Sequence, residues 1–372
     1  MDDTQTAQLS PLLRLSDDVL LEIRDAVTQP TPTHIQRHNK HRDLDALRCL
    51  SRCNRRLHTL LAPEIFKAVS LNRPETWNVA LGLLTCFGRC DAVLRYTRRL
   101  VVDLQDGPLT QTREPAVLET IEAVMRKLVE LMREMRGLKE VVLAFPPVLP
   151  RAGKATTVAF DAALEGVDGG FILPSVESLV IDADLHQLVG KCPGLRSLVS
   201  GALSMHARKV DIENVALIQA CGERHEPLRH FEFRVRCSVD LLQLVADNTP
   251  NLTSLAIPSF RYFSNLRKLA PILAQFRQLK ILVLAKAMDL GLGFNPPSCG
   301  SAYGRPGGNE LQERVNKERN AANRTAAELC FEACGSLEIL WIGDNTKATV
   351  CRFSDGSVAD IGIEEGLQRQ KT

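Results

Sequence analysis

Short apolar patterns with one internal spacing recur along most of the chain. Two residues separate the first apolar position from the second, and one residue separates the second from the third. The latter spacing is that of one face of a β-strand, and turn formers such as Pro193-Gly194 often come directly before the pattern. We call the pattern the frame and predict a short strand, entered from a tight turn, at each copy. The copies are Leu138-Val141-Leu143, Val176-Leu179-Ile181, Leu228-Phe231-Phe233, Leu252-Leu255-Ile257, Leu279-Leu282-Leu284 and Leu337-Leu340-Ile342, with Leu195-Leu198 as a shortened copy and Leu100-Val102-Leu104 as an earlier member.

Stretches with helical spacing of apolar residues lie between the frames. Alternating strands and helices at irregular intervals are typical of an α/β solenoid, in which neighbouring units supply each other's core. A single doubly wound α/β domain is the alternative, but the repeated short motifs and the lack of a glycine-rich phosphate turn favour the solenoid. The predicted helices cover Pro74 to Leu94, Val117 to Met135, Leu185 to Gly190, Val215 to Ala220, Leu241 to Val245 and Leu266 to Phe276.

Two stretches rich in proline and glycine interrupt this alternation. Phe145 to Pro174 contains Pro146-Pro147, and Gly291 to Asn309 contains Pro296-Pro297. Loops of this length are usually functional or disordered, and we expect disorder rather than a defined binding element. Farther on, Cys351 to Ser357 has the composition of a hairpin turn.

The N-terminal block has helical spacing in place of the frame. Ser16 is a good N-cap, and Leu15, Val19 and Ile23 recur every four residues, which is the spacing of one helix face. Pro30 ends this helix. Such a small block is marginal as a free-standing fold, so we expect it to pack against something else. A second helical stretch starts at Asp43 and contains Leu44, Leu47, Leu50, Leu57, Leu60 and Leu61, before Ala62-Pro63 breaks it and Ile65-Phe66 closes the block.

This block resembles an F-box. It departs from the family pattern at Ser16, where the family usually has proline, at Asn54, where it usually has tryptophan, and in the insertion from Thr28 to Arg42. An unrelated amphipathic helical hairpin is the alternative. The residues that carry the resemblance are Leu15, Val19, Leu20, Ile23, Asp43-Leu44, Leu47, Leu50-Ser51-Arg52, Arg55-Arg56-Leu57 and Ile65-Phe66.

The frame, in turn, resembles the irregular leucine-rich repeats that often follow an F-box in the chain. The combination of such repeats with long insertions is similar to that of large fungal F-box families. We therefore expect an α/β fold with a flexible lead (1–14), an F-box-like helical module (15–72), an irregular leucine-rich-repeat solenoid (73–345) and a C-terminal hairpin and tail (346–372).

The two resemblances together imply the substrate-recognition subunit of a Skp–cullin–F-box ubiquitin ligase. Residues 15–71 would dock a Skp-type adaptor, and through it a cullin, while the repeats recruit a protein substrate. The alternative is a non-catalytic leucine-rich-repeat scaffold that acts outside ubiquitination. The resemblance to the F-box implies that the adaptor-binding residues are Leu15, Val19, Leu20, Ile23, Leu47, Leu50, Ile65 and Phe66.

Composition sets limits on other functions. The 372 residues have a net charge of +2, so no strong field recruits nucleic acid or membrane, and we expect neither as a partner. No apolar run approaches the length of a membrane-spanning helix, and the acidic start at Met1-Asp2-Asp3 argues against an ordinary signal peptide. The 11 cysteines, an odd number without a short-spaced framework, indicate reduced thiols in the cytoplasm or nucleus.

No motif in the chain predicts catalysis, a cofactor or a metal. Gly291-Leu292-Gly293 is followed by prolines, which lack the amide donors of a phosphate loop. Basic residues gather between His34 and Arg56 without the aromatic residues that bind single strands, so a solvated face is favoured. His34, His38 and His41 could join Cys49 and Cys53 at a zinc ion, but buried small hydrophobes are the favoured interpretation for most of the paired cysteines. The pairs are Cys49/Cys53, Cys86/Cys90 and Cys330/Cys334.

Overall fold

One long β-sheet organises the structure. In the computed structural model, eleven strands form this sheet, and their order in the sheet is their order in the chain. Neighbouring strands run parallel from β1 to β9, and β10 and β11 are each antiparallel to their neighbours. The strands are β1 (Ala68–Asn72), β2 (Arg99–Asp103), β3 (Glu140–Ala144), β4 (Ser178–Ile181), β5 (Ser197–Ser200), β6 (His230–Phe233), β7 (Ser254–Ile257), β8 (Ile281–Leu284), β9 (Ile339–Ile342), β10 (Thr346–Arg352) and β11 (Val358–Glu365). The structure describes residues 15–28, 45, 47–104, 115–145, 152–167, 170–200, 210–234, 237–258, 265–297, 308–343, 345–366 and 369.

Helices precede the sheet and connect its parallel strands. Successive connecting helices contact each other along the sheet, so they form one layer. A right-handed crossover that always adds the next strand on the same side puts every connecting helix on the same face. The helices are α1 (Asp17–Thr28), α2 (residues 47–53), α3 (Arg55–Ile65), α4 (Trp77–Gly88), α5 (Asp91–Tyr96), α6 (Pro115–Glu134), α7 (Ala152–Glu165), α8 (Gln187–Gly190), α9 (Val210–Gly222), α10 (Val239–Asn248), α11 (Leu266–Leu273) and α12 (Gly308–Ala333).

The strand order decides between the two folds that the sequence leaves open. A doubly wound domain needs a point where the direction of strand addition reverses, and this sheet has no such point. The doubly wound alternative is therefore wrong. The fold is α/β with a long, mostly parallel sheet, and its order is compatible with a solenoid.

The apolar positions of the frames face the helices and form the core. Each of them is buried in one continuous cluster with the connecting helices, as Leu138, Phe231 and Leu340 illustrate. Burial alternates along β2, β3, β4, β6 and β9, so that Val141 and Leu143 of β3 are buried between partly exposed neighbours. The frames are strands, as predicted, but the predicted alternation of burial fails in β5, β7 and β8, where residues of both faces are buried.

The entry to each strand repeats one hydrogen-bond arrangement. The carbonyl oxygen of Arg229, just before β6, accepts from the backbone N–H groups of Thr253 and Ser254 at 2.9 and 3.0 Å. The shared carbonyl sets the register between neighbouring units before the strand ladder begins. The equivalent carbonyl groups belong to Lys67, Arg98, Lys139, Glu177, Arg196, Thr253 and Lys280.

The N-terminal helices have a small core of their own. Leu20, Leu47, Leu57 and Leu61 are buried, but they lie apart from the continuous core, which begins at Val69. The sequence pattern predicts that residues 68–72 close the helical module. In the structure they form β1, the first strand of the sheet.

The interpretation of Phe145 to Pro174 as an excursion without regular structure is wrong. This stretch contains α7, which buries Phe160, Ala163 and Leu164 against the continuous core. Alanine contributes little to an apolar periodicity, and the prolines and glycines at the ends of the stretch suggest a loop. The helix was missed for these two reasons.

The second interrupting stretch, Gly291 to Asn309, is described up to residue 297 and again from residue 308, where α12 begins. The expectation of disorder falls largely outside the described residues. Sequence analysis predicted no helix over α12, whose buried face consists mainly of small residues such as Ala322, Ala326 and Ala327.

Two further predictions are refined or confirmed. The helix expected from Pro74 to Leu94 is two helices, because α4 begins after its N-cap Thr76 and ends at Gly88, before α5. The hairpin turn is confirmed between β10 and β11. Asp355 accepts from the backbone N–H of Ser357 at 2.8 Å, and Gly356 has a φ of 86°, which favours glycine.

Candidate interaction surfaces

Arg56 connects two helices of the N-terminal module. Its Nε and Nη2 donate to the carboxylate of Asp17, the former at 2.9 Å, and Nη2 also donates to the carbonyl oxygen of Leu15 at 3.0 Å. These bonds tie the start of α3 to the start of α1. Both charged side chains are largely exposed, so the ion pair contributes at most about 1 kcal/mol and mainly sets the orientation of the helices.

The two residues that depart from the F-box pattern both cap helices. Ser16 Oγ accepts from the backbone N–H of Val19 at 3.4 Å, and Asn54 Oδ1 accepts from that of Arg56 at 2.7 Å. Side-chain acceptors at these positions satisfy donors that a helix start leaves unpaired. The module therefore forms its helix starts without the proline and tryptophan that are usual in the family.

The predicted adaptor anchors differ in how much surface they present. Leu20 and Leu47 are 4% and 0% exposed and hold the module together, whereas Val19 is 38% exposed. The side chain of Ile23 lies outside the described part of the structure. Among the described anchors, Val19 is exposed, and Leu15, Leu50, Ile65 and Phe66 are half buried.

The module and the sheet are joined directly. Phe66 and Lys67 alone separate α3 from β1. The carbonyl oxygen of Phe66 accepts from Thr97 Oγ1 at 3.1 Å, and that of Lys67 accepts from the backbone N–H groups of Arg98 and Arg99 at 2.9 and 3.0 Å. The ring of Phe66 also packs against the continuous core. These contacts fix the module relative to the first strands.

The sheet face opposite the helices, which we call the open face, carries one row of residues in register across eight strands. In a parallel pair, registered residues point to the same face. Glu232 is the charged member of this otherwise apolar row. From β2 to β9 the row consists of Val101, Val142, Val180, Val199, Glu232, Ala256, Val283 and Trp341.

Part of the open face is buried. Val199, Ala256 and Val283 are 4%, 0% and 2% exposed, although they do not belong to the continuous core on the helix side. Other parts of the chain therefore cover the open face at β5, β7 and β8 and exclude water from it.

A side chain from the C-terminal segment lies at this place. Arg369 Nη2 is 3.6 Å from Glu232 Oε2, and the two side chains are 11% and 14% exposed. The other carboxylate oxygen of Glu232, Oε1, accepts from Arg234 Nε at 3.3 Å. Four strands separate β6 from β11, so Arg369 lies over the open face rather than beyond the edge of the sheet.

His230 lies one row away from this ion pair. Its Nδ1 is 2.9 Å from Ser254 Oγ, and its Nε2 is buried without a hydrogen-bond partner among the described residues. Burial lowers the pKa of His230 below its usual value; Arg369 lowers it further, and Glu232 opposes both. The imidazole is therefore neutral at neutral pH, and the open face carries no histidine cation here.

Two other concave places lie away from the open face. A groove between α6 and α7 is lined by apolar side chains that include Leu118 and Val158, both exposed. A wider depression at the strand entries is lined by charged residues that include Arg277, Lys280 and Glu338. Neither holds a buried, unpaired polar group that would indicate a ligand.

The cysteines divide into exposed and buried sets. Cys330 and Cys334 are buried, and burial raises the pKa of the Cys192 thiol to about 12 and that of the Cys330 thiol well above its usual value. The interpretation of most of the paired cysteines as buried small hydrophobes is wrong for Cys49, Cys53 and Cys86, which are exposed. No group of three or more metal-ligating side chains occurs among the described residues. The three histidines considered for a zinc site lie outside them.

Comparisons of this chain with protein-family models and with curated proteins find no match. Within the described ranges, no helix combines the length and the apolar character needed to cross a membrane.

Proposed function

We propose that this chain is the substrate-recognition subunit of a Skp–cullin–F-box ubiquitin ligase that works in the cytoplasm or nucleus. Residues 15–71 are an F-box-like module that docks a Skp-type adaptor and, through it, a cullin. The sheet is an irregular leucine-rich-repeat solenoid whose open face holds a protein substrate. The chain is non-catalytic and accelerates ubiquitin transfer by positioning the substrate.

The observation that carries the proposal is the direct connection between module and sheet. A subunit that positions one protein relative to another needs its two binding surfaces in a fixed relation. Phe66 and Lys67 supply this relation, because their backbone carbonyl groups bind Thr97, Arg98 and Arg99 at the start of β2. A flexible linker at the same place would not support this function.

The surface of the module also supports the proposal. Val19 exposes an apolar side chain next to two carboxylates at the start of α1, and Leu15 and Leu50 are half buried. A few partly exposed apolar residues at the centre of a contact commonly carry most of the binding free energy. We expect Val19 and Leu50 to carry it here.

A non-catalytic scaffold outside ubiquitination is the second candidate. Ser16 and Asn54 favour it, because their helix-capping roles account for them without any adaptor. The two candidates share the open face as a protein-binding surface and differ in adaptor binding alone. A direct binding measurement therefore separates them.

The experiment is a pull-down and titration of the purified full chain with a purified Skp-type adaptor. Val19→Asp and Leu50→Asp are the test variants, and Val79→Asp in α4 is the matched control, since Val79 is 44% exposed and lies outside the module. We expect at least tenfold weaker binding for each test variant and unchanged binding for the control. Far-ultraviolet circular dichroism should be the same for all four proteins.

Two outcomes would contradict the proposal. If the wild-type chain does not bind the adaptor, the scaffold function is favoured instead. If all three variants bind as the wild type does, the contact does not involve Val19 or Leu50, and the proposed docking surface is wrong.

A further inference from the structure

We propose that Glu232 is a recognition site for an arginine side chain of a partner protein, and that Arg369 of the chain's own C-terminal segment occupies this site until the partner displaces it. The inference rests on one part of the proposed function, namely protein binding at the open face, and it is independent of adaptor docking. It assigns both a chemical class of ligand and a regulatory contact to this face.

The position of Glu232 is the first argument. Its registered neighbours across the sheet are Val199 and Ala256, which are 4% and 0% exposed. A carboxylate among buried apolar groups is costly unless a cation pairs with it. A strand position that needed only to face an apolar surface would be served by valine, as it is in β2 to β5. Arg234 of the same strand end already pairs with Oε1 at 3.3 Å, so it is the other oxygen, Oε2, that is placed to bind a further cation.

The contact made by Arg369 identifies the cation. Its guanidinium reaches the carboxylate although four strands lie between β6 and β11, and its side chain is 11% exposed. A guanidinium is planar and weakly hydrated, so it tolerates apolar neighbours better than the strongly hydrated ammonium of lysine. A site with valine and alanine on both sides of the carboxylate thus favours arginine over lysine.

The same contact is poorly optimised, which makes it displaceable. The 3.6 Å between Arg369 Nη2 and Glu232 Oε2 exceeds the usual length of a charge-assisted hydrogen bond, about 2.7–2.9 Å. Arg234 donates to Oε1 of Glu232, so Oε2 remains as the acceptor for a donor from a partner. Tethering gives Arg369 an effective concentration in the millimolar range, and a partner that makes shorter bonds and further contacts can exceed this.

The rest of the row describes the partner further. Beyond the buried Val199, the row continues from Glu232 toward β2 with Val101, Val142 and Val180, which are partly exposed. A partner surface that presents an arginine together with apolar side chains therefore suits this part of the open face.

The test uses the chain's own C-terminal residues as the probe. A fluorescein-labelled peptide of residues 366–372 is titrated into the wild-type full chain, the Arg369→Ala variant and the Arg369→Ala/Glu232→Gln double variant, with fluorescence anisotropy as the readout. We expect the Arg369→Ala chain to bind the peptide at least tenfold more tightly than the wild type. The double variant should lose this gain. A peptide carrying alanine in place of Arg369 is the control and should not bind.

A second measurement covers the case in which the free peptide binds too weakly to detect. Trypsin cleaves after arginine, and cleavage after Arg369 is followed by mass spectrometry of the intact chain. We expect cleavage at least fivefold faster in Glu232→Gln than in the wild type, because the ion pair no longer protects Arg369. Val79→Asp is the control and should be cleaved at the wild-type rate.

The proposal is overturned if Glu232→Gln neither lowers peptide binding nor accelerates cleavage after Arg369. Adaptor binding is measured on the same proteins, so the two proposals can fail separately. If the adaptor binds but Glu232 has no effect, only the arginine site is wrong. If the peptide binds through Glu232 but the adaptor does not bind, only the ligase role is wrong.

Discussion

Arg224 and Arg352 bind the same turn in two different units of the sheet. Each guanidinium donates to the carbonyl oxygen of a buried cysteine and to the carbonyl oxygens three residues before and after it. The distances for Arg224 are 3.3, 2.7 and 2.7 Å, to Val189, Cys192 and Leu195. Those for Arg352 are 2.9, 3.1 and 3.5 Å, to Phe331, Cys334 and Leu337.

These carbonyl groups lie where a helix ends and a frame begins. Backbone N–H groups of the turn also bind some of them, since Leu195 donates to the carbonyl oxygen of Cys192 and Leu337 to that of Cys334, both at 3.1 Å. Arg224 follows α9, and Arg352 ends β10. Two arginines from unrelated positions therefore satisfy the same acceptors. This supports the view that the two units are structurally equivalent.

Replacing Arg224 should destabilise the chain. Hydrogen bonds to charged groups contribute about 1.5–3 kcal/mol each, and Arg224→Ala removes several of them, although Val189 and Cys192 keep backbone donors. We therefore expect this variant to lower the free energy of unfolding by about 3 kcal/mol. Arg224→Lys should still cost about 1–2 kcal/mol, because an ammonium cannot reach acceptors on both sides as the guanidinium fork does. Urea unfolding followed by circular dichroism measures both values.

The matched control is Arg314→Ala in α12, since the side chain of Arg314 is 69% exposed. We expect a change within about 0.5 kcal/mol there. Equal losses at Arg224 and Arg314 would show that the carbonyl contacts do not stabilise the turn.

Truncation of two neighbouring residues of α1 should change the stability of the chain by very different amounts. Leu20 is 4% exposed in the small core of the module, so Leu20→Ala should cost about 2–4 kcal/mol and lower the melting temperature of the helical module. Val19 is 38% exposed, and Val19→Ala should change stability by less than about 0.5 kcal/mol. Thermal melts by circular dichroism test the pair. A larger loss for Val19 would contradict the packing of α1.

The frames could be predicted from sequence because a strand with one buried face has a strict two-residue period. That period located β2 to β9, and neighbours in the chain proved to be neighbours in the sheet, whereas β1 was assigned to the helical module. The helices α7 and α12 could not be predicted in the same way. Their buried faces use alanines such as Ala163 and Ala326, which pack closely without producing an apolar periodicity.

The contact between Glu232 and Arg369 was also beyond prediction. Within β6, Glu232 is simply the polar residue between two buried phenylalanines, as the frame requires. Arg369 belongs to a polar C-terminal stretch with no pattern of its own. Ion pairing is non-local and leaves no period in the sequence, so only the fold brings these two charges together.

The pKa of Asp161 makes the stability of the chain depend on pH. Burial raises this pKa from 3.8 to about 6; His186 lowers it, and Asp184 and Glu165 raise it. A raised pKa means that folding favours the protonated carboxyl, so the stabilisation is full below about pH 4 and is lost as the pH rises through 6. We expect Asp161→Asn to stabilise the chain at pH 7.5, and this gain to shrink toward pH 4.5.

Urea unfolding at the two pH values tests this prediction. Asp360→Asn is the control, because Asp360 is exposed on β11 and should give no comparable gain. A gain for Asp161→Asn that is the same at both pH values would mean that it comes from packing or hydrogen bonding, and not from the charge.

The pKa of His230 should report whether Arg369 occupies the open face. The Arg369 cation lowers this pKa and the Glu232 carboxylate raises it, in addition to the larger lowering by burial. Removing the cation in Arg369→Ala should therefore raise the pKa of His230, whereas Glu232→Gln should lower it further. Nuclear magnetic resonance titration of the imidazole signals measures both shifts, and His230→Gln assigns the signal. Shifts in the same direction in the two variants would contradict the described geometry, since opposite charges near one imidazole shift its pKa in opposite directions.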